Sequence, residues 1–426
     1  MINIYFIKKQ LKQIQKGGFK VFIRKIKILI NNFTKPILFI LAFPVVLTFR
    51  IIKPWILIRI GCMFSSRIGH FAANTEMYLC ERDLQINTPK YNYIDIFYMV
   101  SEPPCNQQLA IMWKKLLRIW PAWLLEPIYK ANKFIPGGEA HEIGQNSQHD
   151  RDVHNLLDKI PPHLQFTSRE EVLGKAGLRK MGVPEGRLFI CLNVRDSAYL
   201  AGECWAYHNY RDSNIQNYVL AADFLASQGY FIIRMGAKVH EAINSKNPNV
   251  IDYATNGMRS DFMDIYLGAK CHFAISTQTG WDSVPYVFRR PICYVNALPI
   301  GYLHTFSKNF LLLTKRHLIK ENMSEMTCAE IFSSGLGFCN DSSQYEAKGV
   351  VLVENTPQEI LDVVEEMAKR LDCVWQAQQD DEFLQWRFWQ TFPADSVDAY
   401  VGKPLHGKIN ARFGANYLRN NRVWVL

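Results

Sequence analysis

A short polar turn between two apolar stretches is the part of this sequence best suited to hold a phosphate group. It consists of Ser276, Thr277, Gln278, Thr279 and Gly280. The apolar residues 273–275 predict a buried strand before it, and the residues after it predict a helix and then a second strand over 291–296. The first turn of a helix has unpaired backbone N–H groups at the positive end of the helix dipole, and anions bind there. The same residues would also suit an ordinary helix cap, and the sequence leaves both interpretations open.

Two arginines occupy strand positions that favour contact with a ligand. Arg195 follows the apolar strand predicted over 188–194, and Arg234 lies within a later predicted strand. Ligands of parallel α/β sheets bind in the crevice at the carboxyl ends of the strands, and arginine grips phosphate with paired hydrogen bonds. Arg195 is therefore a candidate for binding a diphosphate, with an ion pair to Asp196 or Asp212 as the alternative. For Arg234, a binding role and a structural role are equally open.

His70 is the candidate general base in the first half of the chain, because imidazole exchanges a proton near neutral pH. It follows the first predicted strand in the order Arg-Ile-Gly-His. Asp95 and Glu102, at the second predicted strand, are rival bases, and a structural role for His70 is also open. A polar loop after Arg195 is expected to line the same cleft. The loop contains Tyr199, Glu203, His208, Tyr210, Arg211 and Asp212.

Several common catalytic motifs are missing from the sequence. It contains no G-x-x-x-x-G-K-[ST], G-x-S-x-G, H-E-x-x-H or D-x-D, and no G-x-G-x-x-G after the first strand. Phosphate binding by arginine and a helix N-terminus, without a metal or other cofactor, is what remains. The ten cysteines are scattered without a C-x-x-C pair. This favours reduced, buried thiols over a disulfide framework or a zinc site.

Positive charge is concentrated at the N-terminus. Residues 1–75 contain 13 lysines and arginines and no acidic residue, whereas the rest of the chain contains 36 basic and 39 acidic residues. A nucleic-acid-binding protein would spread basic residues over its folded surface. The asymmetry therefore indicates an anionic membrane surface as the partner, and no nucleic acid.

An uncharged run over 36–49 lies within this basic segment. It is 14 residues long, whereas a transmembrane helix needs about 20. The preceding residues 6–30 repeat apolar side chains at helical spacing among lysines and arginines, which is typical of a helix in the headgroup plane. We therefore expect peripheral or monotopic attachment at the cytoplasmic face of the inner membrane, which also agrees with the positive-inside tendency. A buried core helix is the alternative for 36–49.

Strands and helices alternate from residue 55 onwards, which is the pattern of a doubly wound parallel sheet. We expect an α/β fold with two Rossmann-like domains that face a cleft. The expected parts are a basic and apolar membrane-associating segment at 1–54, an acceptor domain at 55–160, a donor domain at 161–374, and a tail at 375–426. Folds of this kind often pack such a tail back onto the first domain.

Six stretches together resemble a bacterial family of surface-polysaccharide glycosyltransferases. They lie at 69–76, 191–200, 210–218, 233–236, 251–254 and 413–424. More distantly, Val194 and Arg195 with the turn at 277–281 resemble the donor site of fucosyltransferases, whose two Rossmann-like halves form the GT-B architecture. The sequence departs from that pattern at Asp196, where those enzymes usually have a second arginine, and at Gly280, where they have serine. The departures count against a fucose donor but not against a nucleotide-sugar donor.

The resemblance implies a glycosyltransferase that moves a sugar from a nucleotide-sugar donor to a glycan or lipid-linked acceptor without a metal. Arg195, with Arg234, would stabilise the leaving diphosphate over the turn at 276–280, and His70 would deprotonate the acceptor hydroxyl. Two other functions stay open, a nucleotide-sugar epimerase on the same fold and a non-catalytic scaffold at the membrane. The basic N-terminus argues against the epimerase, and Arg195 beside the turn argues against the scaffold.

Overall fold

The computed structural model describes residues 18, 23, 34–143, 151–199, 203–399 and 402–425, without the side chains of 203–205. The basic stretch over 6–30 therefore lies almost wholly outside the described residues, and so does the side chain of Glu203.

The described residues form short strands separated by helices. The strands are β1 (Leu57–Met63), β2 (Tyr93–Met99), β3 (Phe189–Asn193), β4 (Phe231–Arg234), β5 (Val250–Asp252), β6 (Ala274–Ser276), β7 (Ile292–Ala297), β8 (Phe310–Thr314), β9 (Arg316–Ile319), β10 (Val350–Val353) and β11 (Arg412–Phe413). The helices up to the turn at 276–280 are α1 (Thr34–Ile52), α2 (Ile68–Asp83), α3 (Gln107–Leu116), α4 (Ala122–Asn132), α5 (Ser168–Lys180), α6 (Val219–Ser227) and α7 (Asp261–Lys270). Those after it are α8 (Ser283–Val287), α9 (Cys328–Ser333), α10 (Ser342–Ala347), α11 (Pro357–Leu371), α12 (Asp381–Thr391), α13 (Ala415–Asn420) and α14 (Arg422–Val425).

Seven of these strands form one sheet in the order β11-β8-β7-β6-β3-β4-β5, with every neighbouring pair parallel. The inner strands β3, β7 and β8 are buried at every residue, as expected when helices cover both faces of a parallel sheet. The predicted α/β class with a parallel sheet is confirmed. In the first part of the chain, β1 and β2 form a separate two-stranded sheet. Late in the chain, β9 and β10 form an antiparallel pair outside the seven-stranded sheet.

The element after the turn is shorter than the sequence pattern suggests. A 3-10 turn over Gly280–Asp282 leads into α8, which has five residues. The dipole of so short a helix is small, because the dipole grows with the number of aligned peptide units. Anion binding at this turn would therefore depend mainly on nearby side-chain cations.

The chain divides into two compact units that alternate along the sequence. The described residues of unit 1 are 18, 23, 34–62, 88–100 and 117–143, and unit 2 contains 63–87, 101–116 and the described residues from 151 onwards. Unit 2 contains the whole seven-stranded sheet. The domain boundaries expected at 54, 160 and 374 stay a prediction.

Unit 1 is built around α1. Ala42 and Val46, one turn apart, pack into a core with Ile60 of β1, Tyr98 of β2 and Leu125 of α4. Of the described helices, α1 is the one long and apolar enough, by length and composition, to cross a membrane. It extends beyond the uncharged run at 36–49 and includes Arg50.

The charge of Arg50 is accommodated by unit 1 itself. Its guanidinium donates to the Asn132 side-chain oxygen at 2.6 Å and to the Pro136 carbonyl at 3.3 Å. These bonds allow a helix that begins in an apolar run to continue through a basic residue.

Candidate functional site

The turn at 276–280 and Arg195 come together at one edge of the sheet in unit 2. β3 and β6 are neighbours, and Asn193 is paired with Ser276 at their carboxyl ends. Beyond the strands, the backbone N–H of Arg195 donates to the Thr277 hydroxyl at 2.9 Å, and the N–H of Thr277 donates to the Asn193 carbonyl at 3.3 Å. Two segments far apart in sequence, both identified as candidates from their residue types, are thus locked side by side.

A buried carboxylate holds the turn in shape. Asp282 is 0% exposed and accepts hydrogen bonds from the Ser276 hydroxyl, from the Thr279 backbone N–H at 2.6 Å and from the Thr279 hydroxyl at 3.1 Å. Burial raises the pKa of Asp282 to about 6, although these hydrogen bonds act in the opposite direction. The sequence reasoning missed Asp282, although Thr279 followed three residues later by an acidic residue is the spacing of a capping box.

Gln278 anchors the turn rather than facing outward. Its backbone is in the left-handed region, with φ of 58°, and its side-chain amide donates to the Tyr302 carbonyl at 2.9 Å. The Gln278 carbonyl accepts a hydrogen bond from the guanidinium of Arg211. A second arginine, Arg211, is therefore hydrogen-bonded to the backbone of the turn in addition to Arg195.

Positive charge is concentrated beside this turn. Arg195 and Arg211 lie close enough that each contributes to the other's field, and burial together with Arg211 lowers the pKa of Arg195. Burial and the charges of Arg211, Arg195 and Arg67 lower the pKa of His208 to about 4, so this imidazole is neutral at pH 7. Arg195 and Arg211, which both bond the turn, therefore form a site suited to a multiply charged anion.

Asp212 partly neutralises this arginine cluster. Its carboxylate forms an ion pair with Arg195, with Nε and Oδ1 3.1 Å apart. The Asp212 carbonyl also accepts a hydrogen bond from the buried ammonium of Lys315. The alternative of an Arg195–Asp212 ion pair is thus observed, while Asp196 instead bonds the backbone N–H groups of Ala198 and His240.

Arg234 lies on the strand next to β3 but points into the protein. Its side chain is 1% exposed and forms an ion pair with Asp252, with Nη1 and Oδ1 3.3 Å apart. Asp252 also accepts the backbone N–H of Ile243 at 3.0 Å. In this arrangement Arg234 supports the β4–β5 edge of the sheet, and its role in donor binding stays a prediction.

His70 lies near the turn because α2 passes very close to it. A methyl group placed on Gly69 would lie 3.1 Å from both the Cα and the carbonyl oxygen of Gly280, so glycine at 69 permits the close approach. The His70 ring lies 5.9 Å from the Phe64 ring. The rival base Asp95 belongs to unit 1, where it forms two hydrogen bonds with Arg59 at 2.7 and 2.6 Å.

A second polar cluster in unit 2 has the residue types of a metal site. Glu76, Cys80 and His163 place one potential ligand atom each within 4.8 Å of the others. Arg289 already contacts this cluster, with its Nη2 2.6 Å from Glu76 Oε1 and 3.6 Å from Cys80 Sγ. A guanidinium at that position supplies the positive charge that a metal would otherwise bring, so the cluster is compensated as it stands.

No protein-family model matches this chain, and no curated protein sequence matches it. Among solved structures, a glycosyl transferase family 9 protein from Veillonella parvula DSM 2008 is 9% identical over 74% of this chain and 98% of its own, with a TM-score of 0.44. The E. coli ADP-heptose lps heptosyltransferase II is 13% identical over 61% of this chain and 90% of its own, with a TM-score of 0.37. An E. coli heptosyltransferase with ADP-2-deoxy-2-fluoro heptose is 13% identical over 61% of this chain and 93% of its own, with a TM-score of 0.31. At identities this low, no site residue is carried over from these structures.

Proposed function

We propose that this protein is a glycosyltransferase that uses a nucleotide-sugar donor. The observation that carries the proposal is that Arg195 and Arg211 both bond the turn at 276–280, at the carboxyl ends of β3 and β6. Arg195 does so through its backbone N–H to the Thr277 hydroxyl, and Arg211 through its guanidinium to the Gln278 carbonyl. Parallel α/β sheets bind ligands at this edge. A diphosphate is a compact anion that matches several arginines at once.

The chemistry follows from where charge develops. In the transfer, the bond between the sugar C1 and the donor phosphate oxygen breaks while the acceptor oxygen bonds to C1, and the diphosphate leaves with added negative charge. Arg195 and Arg211 stabilise that charge, because cations already in place stabilise the leaving group without reorganising. His70, on the helix that passes Gly280, is proposed to take the acceptor proton.

The number of cations also supports transfer without a metal. In many transferases a divalent cation neutralises the leaving diphosphate, and here the guanidinium groups of Arg195 and Arg211 would do so. The buried ammonium of Lys315, which donates to the Asp212 carbonyl, adds a third cation close to the ion pair of Asp212 with Arg195. Arg195, Arg211 and Lys315 are therefore proposed to replace the metal.

The acceptor is proposed to be a glycan or lipid-linked molecule of the cell envelope at the cytoplasmic face of the inner membrane. Support comes from the basic residues 1–75 and from the apolar helix α1. Enzymes that act on a lipid-linked acceptor gain from residing at the membrane, because the acceptor is concentrated in that plane.

Ligand-dependent thermal unfolding tests the proposal directly. Purified protein in EDTA would be heated with a panel of nucleoside diphosphates and nucleotide sugars. A ligand at 100 times its dissociation constant should add about 2.7 kcal/mol to the unfolding free energy. Arg195→Ala should abolish the shift. Arg179→Ala, which removes an exposed α5 arginine 3.6 Å from Glu185, should retain it.

The outcomes separate the alternatives. A shift with one nucleotide class that Arg195→Ala abolishes, together with sugar transfer to an isolated lipid-linked acceptor, supports the transferase. Binding without turnover on any envelope acceptor favours the non-catalytic scaffold. No shift with any nucleotide would overturn the donor site.

A further inference from the structure

One face of α1 is apolar and exposed along the length of the helix. The side chains of this exposed stripe are Ile37, Ile40, Leu41, Leu47 and Ile51. Counted from Ile37, the other four lie 3, 4, 10 and 14 residues further along the chain, which places all five on one side of a helix with 3.6 residues per turn. Trp55, which is 73% exposed, lies three residues beyond the end of the helix.

The opposite face of α1 is fixed to the protein. Ala42 and Val46 are buried in the core of unit 1, with Phe39 and Phe43 packed beside them. A helix that crossed a bilayer alone would present apolar side chains to lipid on all sides. Because α1 gives one face to a folded unit and leaves the other exposed, it is arranged to lie along a membrane rather than through it.

A contact with the segment after α4 also belongs to the packed face of α1. The ring of Phe134, which follows α4, lies 5.7 Å from the Phe39 ring in an edge-to-face contact. Because Phe39 packs against the core of unit 1, this contact helps to fix the helix and leaves the stripe as its exposed apolar surface. An exposed apolar surface of this kind is typical of an interaction site.

The basic residues in and after α1 indicate that the partner of the stripe is negatively charged. Residues 34–62 contain four basic residues and no acidic residue. Lys35 lies in the first turn of α1, and Lys53 directly follows its last residue. Lysines at the ends of an apolar stripe can extend to lipid phosphates while the stripe enters the acyl region.

We propose that the exposed stripe of α1 docks unit 1 in the plane of an anionic lipid leaflet, with Trp55 at the headgroup boundary. The inference uses contacts within unit 1 alone and holds whether or not the donor site binds a nucleotide. Its occupant is a phospholipid bilayer, and a second copy of this chain is the outcome that would contradict it.

Vesicle flotation of the full chain tests the docking surface. Vesicles of phosphatidylglycerol and phosphatidylethanolamine would be compared with phosphatidylcholine vesicles, in low salt and in 1 M salt, where the Debye length falls to about 3 Å. High salt weakens binding by the basic N-terminus and leaves apolar insertion. The variant Leu47→Glu changes the stripe, and Leu173→Glu on α5 is its control, because the two leucines are 51% and 52% exposed.

The proposal expects wild type and Leu173→Glu to remain on anionic vesicles in 1 M salt. Leu47→Glu should lose roughly tenfold or more in partitioning, because a charge replaces an inserted leucine. Ile40→Gln, a milder change on the same stripe, should show a smaller loss and guards against misfolding of the first variant. Nucleotide-dependent thermal shifts should be unchanged in both variants.

Three results would overturn the proposal. They are unchanged vesicle binding of Leu47→Glu, an equal loss in Leu173→Glu, and a change from dimer to monomer in Leu47→Glu with lipid binding intact. The last would identify the stripe as an interface between copies.

Discussion

The backbone N–H of Arg195 donates a hydrogen bond to the hydroxyl of Thr277, with nitrogen and oxygen 2.9 Å apart. This bond joins the segment after β3 to the turn after β6. It fixes where the Arg195 side chain begins relative to the turn that the donor phosphate is proposed to contact.

Thr277→Val should lower both the unfolding free energy and the affinity for nucleotide. Valine keeps the shape of threonine but leaves the Arg195 N–H without its acceptor, which should cost about 1–3 kcal/mol in unfolding free energy. Urea unfolding measures that cost, and nucleotide-dependent thermal shifts measure the loss of binding. Thr277→Ser keeps the hydroxyl and should behave like wild type. If Thr277→Val bound nucleotide as tightly as wild type, the bond would have no role in placing Arg195.

Sequence reasoning found Arg195 and the turn because both follow buried apolar strands, and parallel strands end at the same edge of a sheet. The same signal was present at Lys315, which follows the apolar strand β8 directly, but it was not recognised. Arg67 could not be found in this way. It directly precedes α2, far from His208 in sequence, and its charge acts on His208 only through the folding of unit 2.

The extent of α1 could not be derived from the apolar run alone. Arg50 looked like the end of the run, since a cation in an apolar helix is costly unless it is paired. Its partners, Asn132 and the Pro136 carbonyl, come from a part of the chain that only the fold brings close. The alternation of strands and helices, in contrast, depended on local patterns and was predicted well.

Gly69→Ala should disturb the turn across the contact with α2. The added methyl would lie 3.1 Å from the Cα and carbonyl oxygen of Gly280, so the turn or the helix must shift. We expect a loss of about 1–3 kcal/mol in unfolding free energy and weaker nucleotide binding. Gly280→Ala is the matched control from the other side of the contact. Its methyl would lie 3.5 Å or more from Gly69 and Ile68, so stability should change little. Equal losses of unfolding free energy in the two variants would contradict the role given to this contact.

Asp282→Asn should remove one component of the pH dependence of stability. Burial raises the pKa of Asp282 from 3.8 to about 6, so between these values the native state binds a proton that the unfolded state does not. Stability from this group therefore falls as pH rises through that window, by about 3 kcal/mol for two pKa units.

Asp264 titrates in the same window, because burial raises its pKa to about 6 as well. The informative measurement is therefore the difference in unfolding free energy between wild type and Asp282→Asn at pH values from about 4 to about 7. That difference should change in favour of the variant as pH rises. A constant difference would mean that Asp282 does not titrate in this range.

Glu76 is predicted to be the residue on which its polar cluster depends. It is 0% exposed, accepts from Arg289 at 2.6 Å and lies 3.0 Å from His163 Nδ1. Glu76→Gln would leave these cationic groups buried without their counter-charge, and we expect a loss of about 3–5 kcal/mol. Arg289→Met, with a shape close to arginine and no charge, should cost a similar amount, whereas the double variant should cost less than the sum.

His163 makes the unfolding free energy pH-dependent for a different reason, which is its contact with two carboxylates. Burial acts to lower the pKa of His163, but the hydrogen bonds and charges of Glu76 and Asp83 outweigh it and raise the pKa above 6.5. The native state therefore holds its proton more tightly than the unfolded state. The resulting stabilisation is fully present below pH 6.5 and is lost as pH rises through the raised value. His163→Gln should flatten unfolding free energy against pH in that range, and an unchanged slope would show that His163 is not protonated there.

Zinc should not stabilise the wild-type protein, although Glu76, Cys80 and His163 have the residue types and spacing of a metal site. Arg289 lies 2.6 Å from the Glu76 carboxylate and 3.6 Å from the Cys80 sulfur, so a divalent cation would have to enter beside a guanidinium. Burial and Glu76 also raise the pKa of Cys80, which opposes the thiolate that zinc requires. Thermal unfolding with and without Zn²⁺ should therefore coincide for wild type. Arg289→Met removes the competing charge and should show a zinc-dependent increase in stability. An increase already present in wild type would mean that the cluster is a metal site and that Arg289 moves aside.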